Sequence, residues 1–294
     1  MSRAVVLGGG GPVGIGWEAG LIVGLARGGV ELAAADSVVG TSAGSVVGMI
    51  LASGGDLTEA TELVRQATPP PVSDPAPDGP ADGIEQLLAS VAEAARDPEA
   101  APAVRARLGR LARQADTIGE EAWIAMFGSF AGDEWPERFC CTAVDVEDGR
   151  FKVWSRSDGV DVQRAVASSC AVPCVFPPVR IGDRQWMDGG VRDMLNADVA
   201  AGHGTVLAVS CTVLDLPPGL DLPAMESVFA ATKAQLDGLR SGGAKVETVI
   251  PGAEMLEISG WGLNLMDFSR AGAAFEAGVR QGEDEATRLA GFWA

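Results

Sequence analysis

The stretch Asp36-Ser37-Val38-Val39-Gly40-Thr41-Ser42-Ala43-Gly44 decides the fold that the sequence predicts. Residues 36–39 are typical of the end of a short buried strand, and residues 45–52 are typical of a helix that packs through an apolar face. A serine between a strand and a helix, with a glycine on each side, predicts a nucleophile elbow with Ser42 at its apex. The two glycines fit because a side chain at either position would collide with the neighbouring strand or helix.

The five-letter pattern alone is weak evidence for a nucleophile. The chain contains 39 glycines, and most serines beside glycine are ordinary turn residues. The flanking strand and helix favour the nucleophile over the turn. The helix would also aim its N-terminal N–H groups at the group that Ser42 attacks.

The composition restricts the class of protein. The 294 residues suffice for one large α/β domain with an ample core. A formal net charge of −18 argues against a nucleic-acid partner, since phosphate binding depends on lysine and arginine. The same charge would repel the protein from an anionic lipid surface unless a local basic patch compensates.

Neither a membrane span nor a signal peptide is predicted. No apolar stretch reaches about 18 residues, and the N-terminus opens directly into a strand. The five cysteines form an odd set in mostly apolar contexts, so we expect buried thiols. Cys170 and Cys174 lack the spacing and companions of a metal site. We therefore expect a cytoplasmic protein without a metal or cofactor.

Strands and helices alternate along the chain, which predicts an α/β fold. Strands are predicted at residues 3–7, 36–39, 139–146, 151–154, 205–211 and 245–250, and helices at residues 14–27, 45–52, 162–169, 224–240 and 270–290. The proline-rich residues 68–80 predict a loop or hinge. Further helices are predicted at residues 83–95, 99–115 and 119–127. We interpret residues 67–128 as a hinge and helical cap inserted into a single domain of residues 1–294.

The glycine-rich residues 8–14 lie between the first strand and the first helix. Their N–H groups could cradle a phosphate or form an oxyanion hole. Gly9, Gly11 and Gly14 also fit a dinucleotide fingerprint, but the elbow stands where such a site needs an acidic residue. A glycine turn with only a packing role is a further alternative.

Two residues are candidates for the base that a serine nucleophile needs. Asp188 lies in Met187-Asp188-Gly189-Gly190 after the strand-like residues 180–186, and alone it is better explained as the start of a turn. His203, the only histidine, precedes the strand at residues 205–211 and should lie at the N-terminal edge of the sheet. The elbow lies at the C-terminal edge, about 15 Å away across a five-residue strand. We therefore expect a carboxylate as the base.

Together these motifs resemble those of the patatin-like phospholipases. The resemblance rests on the glycine loop at residues 9–14, the elbow at residues 40–44 and the Asp-Gly-Gly motif at residues 188–190. Residues 168–178, Ser-Ser-Cys-Ala-Val-Pro-Cys-Val-Phe-Pro-Pro, are similar to the family's segment ahead of the aspartate. The resemblance covers residues 4–210 and implies a three-layer α/β/α fold with a mostly parallel central sheet.

The resemblance implies a serine acyl hydrolase that cleaves lipid esters with a Ser-Asp dyad. Ser42 would be the nucleophile and Asp188 its base, which requires burial to raise the pKa of Asp188 above its ordinary value of about 4. The N–H groups of Gly10 and Gly11, with that of Ala43 as a weaker candidate, would stabilise the oxyanion. The implied site comprises Ser42 and Asp188, the loop residues Gly9, Gly10, Gly11 and Gly14, the elbow residues Gly40, Thr41, Ala43 and Gly44, and the motif residues Gly189 and Gly190.

Val13 departs from the family pattern, which usually has a basic residue ahead of the last glycine of the loop. The departure predicts reduced or altered activity rather than none, because the backbone donors are kept. It also supports an alternative function, in which the chain is a catalytically weak relative that binds acyl chains or a protein partner.

Residues 104–115 form a basic amphipathic helix within the predicted cap. Val104, Leu108, Leu111 and Ala115 fall on one face, and four arginines lie around the rest. Such a helix could let an acidic protein touch a membrane peripherally. We favour the interpretation in which its apolar face packs on the core and its arginines lie in water.

Overall fold

The structure is a computed structural model that describes residues 2–67, 83–128, 134–216 and 223–294. Its strands are β1 Arg3–Leu7, β2 Ser37–Gly40, β3 Phe139–Asp145, β4 Phe151–Ser155, β5 Val179–Ile181, β6 Arg184–Asp188, β7 Thr205–Val209 and β8 Lys245–Val249. Its helices are α1 Gly11–Arg27, α2 Ala43–Ser53, α3 Leu57–Gln66, α4 Gly83–Arg96, α5 Ala101–Gln114, α6 Glu120–Ala125, α7 Val162–Ser169, α8 Pro223–Ser241, α9 Ala253–Ile258 and α10 Ala271–Trp293. The predicted loop at residues 68–80 lies outside the described residues.

The eight strands form one mixed sheet in which parallel pairs predominate. Strand β1 lies between β2 and β7 and is parallel to both, β8 extends the sheet beyond β7, and β3 pairs in parallel with β2. Strands β4 and β6 are antiparallel to β3, and β5 forms a hairpin with β6. The predicted α/β fold with a mostly parallel central sheet is confirmed.

Helices cover both faces of the sheet, and the side chains of β1 alternate between the two faces. Val5 and Leu7 pack into a large core with residues of α1, α2 and α10. Ala4 and Val6 point to the other face and pack into a second core with residues of α8. Since successive strand residues point to opposite faces, these two cores make the three layers of the fold.

Strands β2 and β6 meet end to end along one edge of β3. Strand β4 occupies the other edge from Cys140 to Val144, so β2 and β6 must share the remaining one. Gly40, the last residue of β2, lies opposite Cys141, and Asp188, the last residue of β6, lies opposite Ala143. Two residues of β3 span only about 7 Å. The sheet therefore brings the end of β2, where the elbow begins, close to Asp188.

Some predicted elements differ from those observed. The strand-like residues 180–186 are a hairpin, because Gly182 turns the chain with a φ of 65°. Helix α1 begins at Gly11 rather than Gly14, with a proline in its first turn, where the missing N–H costs little. Helices α3 and α9 were not predicted, and α9 has only 6 residues.

Helix α5 packs on the sheet, as the favoured interpretation of the basic helix expects. Leu108 lies in a buried cluster with residues of β3 and β6. Arg107 forms an ion pair with Glu93, and Arg113 forms one with Glu147 at 3.0 Å. Two details differ from that interpretation: Leu111 is exposed, and the Nε of Arg105 is buried rather than in water. The role of residues 67–128 as a cap stays a prediction.

Candidate active site

Ser42 occupies a strained position between β2 and α2. Its backbone has φ 52° and ψ −117°, a combination that non-glycine residues adopt only when the surrounding structure enforces it. A Cβ on Gly40 would lie 2.5 Å from Gly44 O, and one on Gly44 would lie 2.2 Å from Leu7 O. Both glycines are therefore required by contact, and the elbow has the geometry typical of a nucleophile.

Hydrogen bonds from two sides fix the elbow. The N–H groups of Thr41 and Gly44 donate to Leu7 O at 3.0 Å and Gly8 O at 2.9 Å, which ties the elbow to the end of β1. The Ser42 N–H donates to Ser169 Oγ at 3.1 Å, and the Cys170 thiol donates to Ser42 O at 3.2 Å. The end of α7 thus supports Ser42 from the side.

Asp188 is buried beside Ser42. Its Oδ1 accepts the Gly190 N–H at 2.7 Å, whereas its Oδ2 is buried and accepts no hydrogen bond of standard geometry from the described residues. Burial raises the pKa of Asp188 to about 7, although the Gly190 N–H and the nearby Ser42 hydroxyl both act to lower it. An unpaired carboxylate oxygen close to a serine hydroxyl can accept its proton near neutral pH.

The glycine loop leaves N–H groups free near Ser42. Among the described residues, no hydrogen bond uses the N–H groups of Gly10, Gly11 or Ala43. The Gly9 N–H is not free, because it donates to Met194 O at 2.7 Å. Free N–H groups at helix N-termini suit a developing negative charge.

The other predicted glycines have packing roles. A Cβ on Gly14 would lie 3.0 Å from Cys211 Sγ, and one on Gly189 would lie 2.1 Å from Thr142 Oγ1. A Cβ on Gly190 would lie 3.0 Å from both Asp188 Oδ1 and Met194 Sδ. Because glycine has no Cβ, the glycine loop, the Asp-Gly-Gly motif and the sheet can approach one another closely.

Glu18 is a site residue that the sequence analysis missed. It is fully buried on α1, and its Oε1 accepts the Gly8 N–H at 2.9 Å. Its Oε2 has no partner of standard geometry among the described residues. Burial raises the pKa of Glu18 well above its usual range, and burial together with Glu18 raises that of Cys211. A carboxylic residue among the apolar residues of α1 was the signal that could have revealed it.

Asn196 is the second missed residue, and it connects the elbow to the aspartate. Its side-chain N–H groups donate to Thr41 Oγ1 at 3.1 Å and Gly189 O at 3.2 Å. Thr41 Oγ1 is also hydrogen-bonded to Thr142 Oγ1 at 2.8 Å. Asn196 is buried and has a left-handed φ of 53°. No local sequence signal points to this role, since Thr41 and Gly189 lie elsewhere in the chain.

His203 lies far from the elbow, as predicted. The N–H of the next residue, Gly204, donates to Ser2 O, and Thr205 pairs with Arg3 at the start of β1. Ser42 and the glycine loop lie at the opposite end of β1. His203 is therefore not placed to act on Ser42.

The site is covered in this structure. Ser42 is 7% exposed and Asp188 is 4% exposed. The Met194 side chain lies over the glycine loop, because a Cβ on Gly9 would come within 2.9 Å of its Cε. Val13 is buried in the main core, so this position does not present a polar group to the site.

Within the part of the chain that the structure describes, no three histidine, cysteine, aspartate or glutamate side chains are grouped as they would be around a metal ion. In those same residues, no helix is both long enough and apolar enough to cross a membrane.

The sequence model of the family described as Patatin-like phospholipase matches residues 5–201, which is more than half of the chain. VipD from Legionella pneumophila is a similar solved structure, with 13% identity, a TM-score of 0.44, and coverage of 97% of this chain and 67% of VipD. The type III effector protein ExoU is another, with 15% identity, a TM-score of 0.37, and coverage of 96% of this chain and 53% of ExoU. The chain thus spans about half the length of ExoU. No curated protein matches the sequence.

Proposed function

The chain belongs to the patatin-like phospholipase family, and from that membership we propose that it is a serine acyl hydrolase acting on carboxylic esters of lipids. In this proposal Ser42 is the nucleophile and Asp188 is the general base. The observation that carries the proposal is the unpaired Oδ2 of Asp188, buried near the hydroxyl of a serine in a strained elbow. The neighbouring Ser42 hydroxyl sets Asp188 apart from Glu18, whose unpaired oxygen lies beside the Cys211 thiol instead.

The proposed reaction begins with attack by Ser42 Oγ on the ester carbonyl carbon, while the hydroxyl proton moves to Asp188 Oδ2. The free N–H groups of Gly10, Gly11 and Ala43 support stabilisation of the oxyanion, where each donor contributes roughly 2.7 to 4 kcal/mol to lowering the barrier. The intermediate then expels the alcohol, which takes the proton from Asp188. Asp188 next removes a proton from water, which attacks the acyl-serine carbon. The bond to Ser42 Oγ then breaks, the acid is released, and Asp188 returns the proton to Ser42 Oγ.

The raised pKa of Asp188 supports its role as base. At a pKa of about 7 the residue is a much stronger base than an ordinary carboxylate, yet a large fraction stays ionised at neutral pH. Desolvation causes this shift, so the closed surroundings of the site contribute directly to its basicity.

A second function is favoured by the covered site. Ser42 is nearly inaccessible, and the buried Val13 stands where the family usually has a basic residue. Both observations support the alternative of a catalytically weak protein that binds acyl chains or a protein partner. Such a protein would bind its ligand but would hydrolyse esters only very slowly.

Hydrolysis of p-nitrophenyl esters of graded chain length tests the two functions. We expect turnover by the wild type, and a loss of turnover in both Ser42→Ala and Asp188→Asn. A fluorophosphonate probe should label the wild type but not Ser42→Ala. Absence of both turnover and labelling in a folded wild type would overturn the hydrolase proposal and favour the alternative.

We also propose a cytoplasmic location. All five cysteines are unpaired thiols in the structure. Free thiols are typical of reducing compartments, and Cys140 and Cys141 stay protonated because burial raises their pKa values.

A further inference from the structure

A segment after α9 lies against the glycine loop at the Ser42 end of the sheet. We call residues 259–267 the tryptophan loop. The Val13 N–H donates to Leu265 O at 3.2 Å. A Cβ on Gly11 would lie 2.5 Å from Leu265 O and 2.9 Å from Met266 Sδ. The tryptophan loop therefore forms part of the surface beside the candidate active site.

Two large apolar side chains of the tryptophan loop face solvent. Trp261 is 62% exposed and Leu263 is 87% exposed. The other exposed large hydrophobic residues among those described, Leu111 and Ile250, reach only 37% and 41%. Adjacent exposed apolar groups mark interaction sites more often than isolated ones do.

The backbone holds Trp261 in an unfavourable conformation. Its φ is 58°, between glycines 260 and 262 at 56° and 95°, and a bulky residue rarely adopts a left-handed φ. The Trp261 N–H donates to Leu256 O at 2.8 Å, which fixes this turn. A strained backbone that exposes an indole, rather than burying it, is a cost that points to a function outside the core.

The tryptophan loop is nearly free of charge on a strongly acidic protein. Residues 258–266 contain no acidic or basic side chain, whereas the chain has a net charge of −18. Asp267, at the end of the loop, is paired with Arg270 at 2.8 Å. Such a surface offers apolar contact without the basic groups that anionic lipids attract.

We propose that the protein docks on a zwitterionic lipid surface through Trp261 and Leu263 of the tryptophan loop. The proposal rests on the proposed function, since a lipid-ester hydrolase must meet its substrate at such a surface. Indole and leucyl side chains suit the interface, where the ring lies at the depth of the head groups. Two of the four arginines of α5, Arg107 and Arg113, are a poorer choice because they already pair with acidic residues.

Sedimentation with vesicles tests the proposal separately from catalysis. The protein carries Ser42→Ala, so that no substrate is consumed, and the vesicles are pure phosphatidylcholine or contain added phosphatidylserine. We expect binding to phosphatidylcholine that weakens as phosphatidylserine is added. Trp261→Ala and Leu263→Ser should each weaken binding about tenfold. The matched control is Leu111→Ser on α5, which should bind like its parent.

Each outcome bears on one proposal. Vesicle binding that needs Trp261 and Leu263 supports the docking surface even where the wild type hydrolyses no ester. Ester hydrolysis with unchanged vesicle binding in both loop variants overturns the docking surface alone. Loss of binding in Leu111→Ser but not in the loop variants would assign the contact to α5. Self-association that Leu263→Ser abolishes, without vesicle binding, would assign the loop to a second copy of the chain.

Discussion

The two sides of the site each contain a buried carboxylic residue with an unpaired oxygen, Glu18 beneath the glycine loop and Asp188 at the end of β6. In each, one oxygen accepts a loop N–H, from Gly8 at 2.9 Å or Gly190 at 2.7 Å, and the other has no partner of standard geometry among the described residues. Burial raises the pKa of both. Their neighbours differ, because Glu18 lies beside the Cys211 thiol and Asp188 beside the Ser42 hydroxyl. Similar burial thus produces two different roles. Glu18 is an anchor, which holds the glycine loop through the Gly8 N–H, and Asp188 is a candidate base.

The elbow side and the aspartate side of the site are also held together by different interactions. The elbow and glycine loop depend on close backbone contacts, such as that between Gly44 N and Gly8 O at 2.9 Å. The aspartate side depends on buried side-chain hydrogen bonds, which centre on Asn196. Substitutions should therefore affect the first side through steric overlap and the second through unsatisfied polar groups.

Replacing each carboxylate by its amide should produce the largest contrast. Asp188→Asn removes the carboxylate that we propose takes the Ser42 proton, so we expect kcat/KM to fall about 10³-fold. Glu18→Gln keeps an oxygen that can accept the Gly8 N–H, and we expect a loss below about tenfold. Ester hydrolysis measures both, with thermal unfolding as the check on folding. Equal losses in the two variants would show that Asp188, like Glu18, is only an anchor.

Gly44→Ala tests the backbone contacts on the elbow side. Its Cβ would lie 2.2 Å from Leu7 O, in a buried position between β1 and α2, which both pack into the main core. We expect a loss of about 3 kcal/mol or more in the free energy of unfolding. Gly291→Ala is the matched control, since its Cβ on α10 would meet nothing within 4 Å. That variant should gain up to about 1 kcal/mol. Denaturant unfolding measures both, and a mild effect at Gly44 would mean that the elbow is not tightly packed.

The elbow side could be predicted from the sequence because its determinants are adjacent in the chain. Strand, turn and helix occupy residues 37–53, and the steric need for Gly40 and Gly44 follows from that order alone. The glycine loop was predictable for the same reason, although the use of the Gly9 N–H by Met194 was not.

The aspartate side could be predicted only in part, because long-range contacts define it. Asp188 was named through a motif, but its position next to the elbow depends on β2 and β6 sharing one edge of β3. The hairpin that delivers it was mistaken for a single strand, since the turn at Gly182 interrupts an otherwise strand-like stretch. The role of Asn196 could not be found, because two of its partners, Thr41 and Gly189, are 155 and 7 residues away in the sequence.

Asn196→Ala should have an intermediate effect, because it disconnects the two sides. The buried Thr41 hydroxyl and Gly189 carbonyl would each lose a donor, so we expect a loss of about 2 kcal/mol in the free energy of unfolding. We also expect kcat to fall about tenfold with little change in KM, since the positions of Ser42 and Asp188 loosen together.

Thr232→Val is the control for Asn196→Ala. Its hydroxyl is buried and donates to Asp193 Oδ2 at 2.7 Å, at the far end of the same network. It should lose about 1 kcal/mol of stability while kcat is kept. A normal kcat in Asn196→Ala would mean that the network stabilises the fold without positioning the site.

The pH dependence of hydrolysis should give the smallest difference between Asp188 and Glu18. It is also the measurement that tests most specifically which residue is the base. A base works only when deprotonated, and the pKa of Asp188 is raised to about 7 by burial. We therefore expect kcat/KM to rise about tenfold per pH unit below 7 and to level off above it. Glu18→Gln should leave the midpoint near 7, because the anchor takes no proton from Ser42. A midpoint near 4 would mean that Asp188 is hydrated in the working enzyme. A midpoint that moves with Glu18→Gln would mean that the two carboxylates are coupled.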